Sequence, residues 1–305
     1  MSQTEPQAVE ATRPEYGPFP YVPINRRPKL SWPGGARVAV WVIPNIEFFA
    51  LNRPYAGHPF EKAGTSTPTV RPWGQKDYGN RVGIFRVMDV LKRHGIRATA
   101  TINADICDHH PQIVEDACAL GWEFMGHNLT NAVRLTGLAR EEEQHVIGSS
   151  LARIEKATGK RPRGWLGAGL AETWDTLDVL QEAGVEYVSD WVNDDQPYYM
   201  QVKGGKQLVY MPYSYEINDS PQLYYRDRSA EEFETMNRRQ FDVLYQEGED
   251  SGRVMAICLH PYLIGVPHRI GALHSALGYI AGHSNVWFAT GSEILDAWKG
   301  SGATF

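Results

Sequence analysis

Short apolar, β-branched runs alternate with longer amphipathic stretches from Ala36 onward, and that alternation predicts an α/β fold built on parallel strands. Two further observations select the barrel variant of that class. The strand-length runs number about eight, which suits closure, and the first strand–helix connection lacks the G-x-G-x-x-G of an open dinucleotide-binding sheet. We therefore expect a distorted (β/α) barrel domain over residues 36–305, preceded by a Pro-rich N-terminal arm over residues 1–35.

The arm is read from prolines at 6, 14, 18, 20, 23, 28 and 33, which lack the N–H that a helix or a central strand needs. Strands are then expected at Arg37–Pro44, Ala98–Asn103, Trp122–His127, Gly164–Gly167, Glu186–Asp190, Gln207–Pro212, Val254–His260 and Val286–Ala289. Helices are expected between them at Arg81–His94, His110–Leu120, Arg140–Thr158 and Thr173–Ala183, each followed by a glycine that can end it: Gly95, Gly121, Gly159 and Gly184. Later helices are placed near Ala230–Gln246, Ile270–Ile280 and Ser292–Trp298, the first opening on Ser229 with acids in its first turn. Residues 50–80 are rich in Gly, Pro and aromatics without periodicity, and are expected as a long loop that lids or lines a site.

Composition removes several classes of function. Lys+Arg 30 against Asp+Glu 36 gives a net charge of −6 with no basic block, so nucleic acid is not an expected partner. No apolar run approaches the roughly 18 residues a membrane span needs, so no membrane partner is expected. Cys107, Cys118 and Cys258 are scattered in apolar text and are expected as reduced core thiols. With no secretory signal at the N-terminus, the expected location is cytoplasmic.

Chemistry in such a barrel sits at the C-terminal ends of the strands. There the sequence places Asn45-Ile46-Glu47, Asn103, His127, Asp190-Trp191 and His260. Any one of these could be an ordinary solvent-facing strand end, but Glu47, His127 and His260 close three strands that would surround one mouth, which favours a shared site. A carboxylate with two imidazoles suits metal-assisted hydrolysis or metal-free acid–base catalysis.

The segments carrying these residues resemble the polysaccharide deacetylase superfamily, and within it the intracellular allantoinase-like and peptidoglycan-deacetylase-like branch. They are NIEFF (45–49), GHNLTN (126–131), RGWLG (163–167), SDWVNDDQPY (189–198) and LHPYLIG (259–265), in the family's order. The resemblance implies a distorted barrel of seven or eight strands, of the NodB-homology kind, and hydrolysis of a C–N amide bond. The departures matter equally. Where the family's sugar deacetylases carry two aspartates in the first motif, this sequence reads Asn45 and Glu47; Asn131 replaces the second metal histidine; and the third motif has Leu166 in the region of its arginine.

On this reading Glu47, His127 and Asn131 would hold one divalent metal, Zn²⁺ being the first choice, or a polarised water, and His260 would protonate the departing nitrogen. Metal-free catalysis stays open, with Glu47 as base if burial raises its pKa. Asp190, Trp191 and Asp195 would orient His260 or bind substrate N–H groups; Asn45, Asn103 and Trp165 are further candidates for contacting substrate, and His268 would cover the pocket from the following loop. The leading expectation is a hydrolase of a small cyclic amide, ureide or imide, its pocket closed by Phe49, Tyr55, Phe60, Trp73 and Tyr78. The alternatives are an N-deacetylase of an amino sugar or peptidoglycan fragment, and a catalytically silent carbohydrate-binding barrel. A homo-oligomer is expected on the resemblance, with the arm available to wrap a neighbouring subunit.

Overall fold

The computed structural model describes residues 15–52 and 70–303. Strand β1 (Val38–Ile46) is the hub of the sheet. On one edge it pairs in parallel with β8 (Arg253–Leu259), from Val38↔Arg253 to Pro44↔Leu259. Its other partners are β2 (Thr99–Ile102), at Asn45↔Thr101 and Ile46↔Ile102, and β9 (Val286–Phe288), at Val38 to Val40. The sheet continues in parallel through β3 (Glu123–Gly126), β4 (Gly164–Trp165), β5 (Tyr187–Val188) and β7 (Gln207–Tyr210). Strand β6 (Tyr198–Gln201), absent from the sequence expectation, adds an antiparallel edge to β7. The curled sheet does not close by a ladder. Single bonds tie β8 to the opposite edge: Val254 N–H donates to the Asp195 carbonyl (2.9 Å) and Ala256 N–H to Ser214 Oγ (3.3 Å).

The long helices fall where the amphipathic stretches predict: α2 (Ile84–Arg93), α4 (Pro111–Ala119), α5 (Arg140–Thr158), α6 (Thr176–Glu182), α7 (Ala230–Glu247), α9 (Ile270–Ala281) and α10 (Gly291–Gly300). The four expected glycine stops all have positive φ, and Ser229 caps α7 by accepting from Glu232 N–H (3.1 Å). Three short helices were not expected: α1 (Val70–Tyr78), α3 (Ala104–His109) and α8 (Pro261–Ile264). Helix α1 runs through a π-helical turn (Gly79–Gly83) into α2, so residues 70–80 are helical rather than the expected loop. Residues 53–69, with Tyr55 and Phe60 of the expected lid, and residues 1–14 of the arm lie outside the described residues.

Two cores lie on the two faces of the sheet. Val38, Val40 and Val42 pack outward against helix residues such as Leu91, Phe241 and Leu277. Ala39, Trp41 and Ile43 face the barrel interior with Met125, Trp165, Tyr187, Tyr210, Ala256 and Cys258. The described part of the arm packs on its own barrel: Phe19 meets Trp191 edge-on (5.4 Å), Arg27 pairs with Asp194 (2.7 Å), and Trp32 Nε1 donates to the Arg253 carbonyl (2.8 Å). Cys107 and Cys258 are buried, whereas Cys118, on the outer face of α4, is exposed. No helix among the described residues is long and apolar enough to cross a membrane.

Candidate active site

Strand period fixes the site. Side chains alternate across a strand, so Asn45 and Glu47 continue the inward row of Trp41 and Ile43, His127 follows inward Met125, and His260 follows inward Cys258. All three predicted catalytic residues therefore meet at one mouth, lining a cavity of about 470 Å³ with Asn45 and Asn131. Glu47 Oε1 stands 3.7 Å from His127 Nε2 and 3.6 Å from His260 Nε2.

Each group is held from behind. Asn80, in the π-helical turn, donates to the Glu47 carbonyl (2.8 Å); such turns often mark functional sites. Asn103 Oδ1 accepts from Phe48 N–H (2.7 Å), while its Nδ2 donates to the His127 carbonyl. Both ends of this amide are used to align the two strand ends, so Asn103 is a positioning residue and not the expected substrate contact. His127 Nδ1–H donates to the Leu166 carbonyl (2.5 Å), which leaves Nε2 unprotonated toward the cavity.

Behind His260 lies Asp219, which the sequence reading missed. Its Oδ1 accepts from His260 Nδ1–H and its Oδ2 from the His260 backbone N–H, both at 2.7 Å. Burial disfavours the imidazolium, but the Asp219 and Glu47 carboxylates outweigh it and push the His260 pKa up to about 9. Burial would raise Glu47; instead the charge of His260, with Lys76 beside it, holds it well below the usual carboxylate range. The condition set for Glu47 as a metal-free base, a pKa raised by burial, runs opposite to this direction. Lys76 sits 3.6 Å over the Tyr262 ring at the same cavity.

The remaining expected contacts lie elsewhere. Trp165 is fully buried in the interior core and stacks on Gly126, below the mouth. Asp190 Oδ1 accepts from Gly167 N–H (2.7 Å); burial raises its pKa to about 7, beside a second, half-buried carboxyl, Glu172, whose pKa is also raised, by desolvation and by Asp190. Trp191 Nε1 donates to Glu172 (3.1 Å). Asp195 lies under the arm, with its backbone carbonyl bonded to β8. None of these orients His260, a task that falls to Asp219. His268 is exposed and lines an adjoining cavity of about 1160 Å³ that shares Lys76 and Tyr262 with the first. Asn45 Nδ2 donates to the Leu259 carbonyl (3.1 Å), tying β1 to the strand end before His260.

A metal can be tested on these donors. Among the described residues no cluster of three or more His, Cys, Asp or Glu side chains could hold one. Yet Glu47 Oε2, His127 Nε2 and Asn131 Oδ1 are buried without hydrogen-bond partners, and all three residues line the cavity. Buried polar atoms are normally satisfied, and a carboxylate, an imidazole and an amide oxygen with an open side fit one divalent cation.

A curled, mostly parallel barrel with a carboxylate and two oriented imidazoles at the strand ends can perform hydrolysis, and the similarities that follow assign hydrolysis of carbon–nitrogen bonds other than peptide bonds. The polysaccharide deacetylase sequence profile matches residues 77–188 of the chain. It is similar to a Schizosaccharomyces pombe protein provisionally named a polysaccharide deacetylase, with 28% identity over 304 residues covering 91% of this chain and 94% of that one. Two crystal structures superpose at TM-score 0.82 over 90% of this chain. One is a probable polysaccharide deacetylase from Pseudomonas aeruginosa PAO1 (26% identity, 95% of that chain); the other is Puue allantoinase (25%, 94%).

Proposed function

We propose that this protein hydrolyses a small cyclic amide, ureide or imide by attack of water on the ring carbonyl, with His260 as general acid. The observation that carries the reading is the convergence of the Asp219-held His260 with the unpartnered donors of Glu47, His127 and Asn131 on one cavity of about 470 Å³, a volume suited to a small ligand. The departures at Asn45, Glu47 and Asn131 and the similarity to an allantoinase support a ring amide over an acetamido sugar.

Glu47, His127 and Asn131 would hold a divalent metal; when bound it supplies Lewis acidity that activates water and polarises a carbonyl. The chain's own residues do the rest. Leu166 keeps His127 in the tautomer with a free Nε2. Asp219 keeps the His260 Nδ1 proton in place, so the Nε2 proton points into the cavity, where Glu47 Oε1 lies 3.6 Å away. As water oxygen bonds to the carbonyl carbon it gives up a proton to solvent, and as the C–N bond breaks His260 Nε2 gives its proton to the leaving nitrogen and is then reprotonated from solvent. The ring opens to a carboxylate and a free amide or amine nitrogen.

The test is incubation with allantoin, hydantoin, succinimide and an N-acetylglucosamine oligomer, followed by proton NMR. Ring opening without acetate is the expected result. The second reading, N-deacetylation of an amino sugar, is favoured by the family match and by the two similar proteins named as polysaccharide deacetylases; acetate release without ring opening would establish it and displace the first.

A further inference from the structure

Arg134 lines the cavity that holds Glu47, His127 and His260. Among the described residues no carboxylate pairs with its guanidinium and no acceptor takes a hydrogen bond from it. Such a group on a loose surface loop would mean little, but this backbone is fixed on both sides. Asn128, itself at φ 57°, donates Nδ2 to the Val133 carbonyl (2.9 Å), and Leu135 is fully buried in the interior core. The loop is also tied to the end of β1, where the Phe48 carbonyl accepts from Asn131 N–H (3.0 Å) and Thr130 Oγ1 (2.9 Å).

The opposite wall is shaped to receive the guanidinium. A Cβ on Gly169 would stand 2.9 Å from Arg134 Nε and 3.0 Å from Cζ, so a side chain there would displace the guanidinium from its present place. Gly169 has φ 72°, and Leu170 after it has φ 54°, a conformation that L side chains seldom adopt and that clusters at functional sites. Leu170 N–H donates to the Gly167 carbonyl (2.8 Å), and Gly167 N–H is anchored on buried Asp190. The turn brings Gly169 and Leu170 into the cavity wall. Among the described residues lining that cavity, Glu47 supplies the one carboxylate, against Arg134 and Lys76 as cations.

A guanidinium is a planar fork of N–H donors that stays charged and matches a carboxylate through two parallel hydrogen bonds. We infer that Arg134 is a specificity-determining residue that binds a carboxylate carried by the substrate, so that the preferred ring amide is an anionic one. The choice of a ring amide rests on the function proposed above; the anion recognition does not.

The test compares hydantoin-5-acetate with its uncharged twin hydantoin-5-acetamide, using wild type, Arg134→Ala and Arg134→Lys. Wild type should prefer the acetate in kcat/KM by about 10- to 100-fold, the size of a charge-assisted bidentate pair. Arg134→Ala should erase that preference while leaving the acetamide within about 3-fold of wild type, and Arg134→Lys should restore only part of it. The exposed position predicts unchanged melting temperatures. Equal losses on both probes, no loss on either, or no preference in wild type would overturn the inference. Calorimetric binding of both probes in a His260→Ala background reads the same preference without turnover. Carboxylate selectivity there with no ring opening by wild type would sink the proposed activity and keep the anion site; ring opening with no carboxylate selectivity would do the reverse.

Discussion

Replacing Asp219 by Asn removes one charge and turns one of the two acceptors facing His260 into a donor. The amide oxygen can accept from His260 Nδ1–H or from the His260 backbone N–H but not from both, and the neutral side chain no longer stabilises the imidazolium electrostatically. In the native site His260 is lifted from 6.5 to about 9, which is roughly 3 kcal/mol in favour of the protonated ring. Burial opposes that shift, and Asp219, touching both Nδ1–H and the backbone N–H at 2.7 Å, outweighs it together with Glu47 at 3.6 Å. A unit charge at about 4 Å in a medium of effective dielectric 20 is worth about 4 kcal/mol, so Asp219 and Glu47 together can offset the burial penalty and leave a net shift of this size. The acid must be protonated to act, so kcat/KM falls as pH rises through its pKa. The wild-type basic limb is expected near 9; in Asp219→Asn it should move down by about 2 units. At pH 8 the variant should lose about 10- to 100-fold in kcat/KM, and at pH 6 far less. The assay is a pH profile of ring-amide turnover on both proteins. A basic limb that stays in place in a folded variant would refute the assignment of Asp219 as the group that poises the acid.

Three other outcomes follow from the geometry. Trp165→Ala removes a fully buried side chain from the interior core and should cost about 3–5 kcal/mol in urea unfolding; a loss below about 1 kcal/mol would return Trp165 to the substrate side. Glu186, bonded first by Arg163 and also by Lys299, has its pKa lowered from 4.5 to about 2. Its contribution is thus present above pH 4.5 and lost as pH falls toward 2, and with the side chain 38% exposed it stays below about 1 kcal/mol. The melting-temperature gap between wild type and Glu186→Gln should therefore close in acid, and a gap independent of pH would contradict this. Asn131→Ala should weaken Zn²⁺ binding by at least about 10-fold in chelator competition, whereas unchanged affinity would remove Asn131 from the donor set.

What could be read in the sequence is what has a period or a local signal. Alternation in β1, β3 and β8 turned Glu47, His127 and His260 inward, and the helix stops at glycine were plain. Asp219 carried no such signal, since 41 residues separate it from His260 and only the curl of the barrel brings them together. Helix α1 was hidden because Pro72 and Gly74 interrupt its pattern, which concealed Lys76 as a wall of the site. Strand β6 is four residues long and pairs through a turn at Gly204 and Gly205, too short to show alternation. Trp165 misled by position: it closes a two-residue strand and faces the interior one layer below the mouth. Asp190 and Trp191 follow just after β5, but Asp190 Oδ1 is taken by Gly167 N–H and Trp191 Nε1 by Glu172.

The central claim is that His260 delivers the proton to the departing nitrogen. It is tested most directly by the loss of kcat/KM in His260→Ala on two ring substrates with different leaving groups, an imide and a simple lactam. An imide nitrogen leaves readily without help, whereas a lactam nitrogen needs its proton as the bond breaks. The account predicts a loss of roughly 10²- to 10⁴-fold on the lactam and at least about 10-fold less on the imide. Equal losses on both substrates, or near wild-type turnover of the lactam, would contradict it.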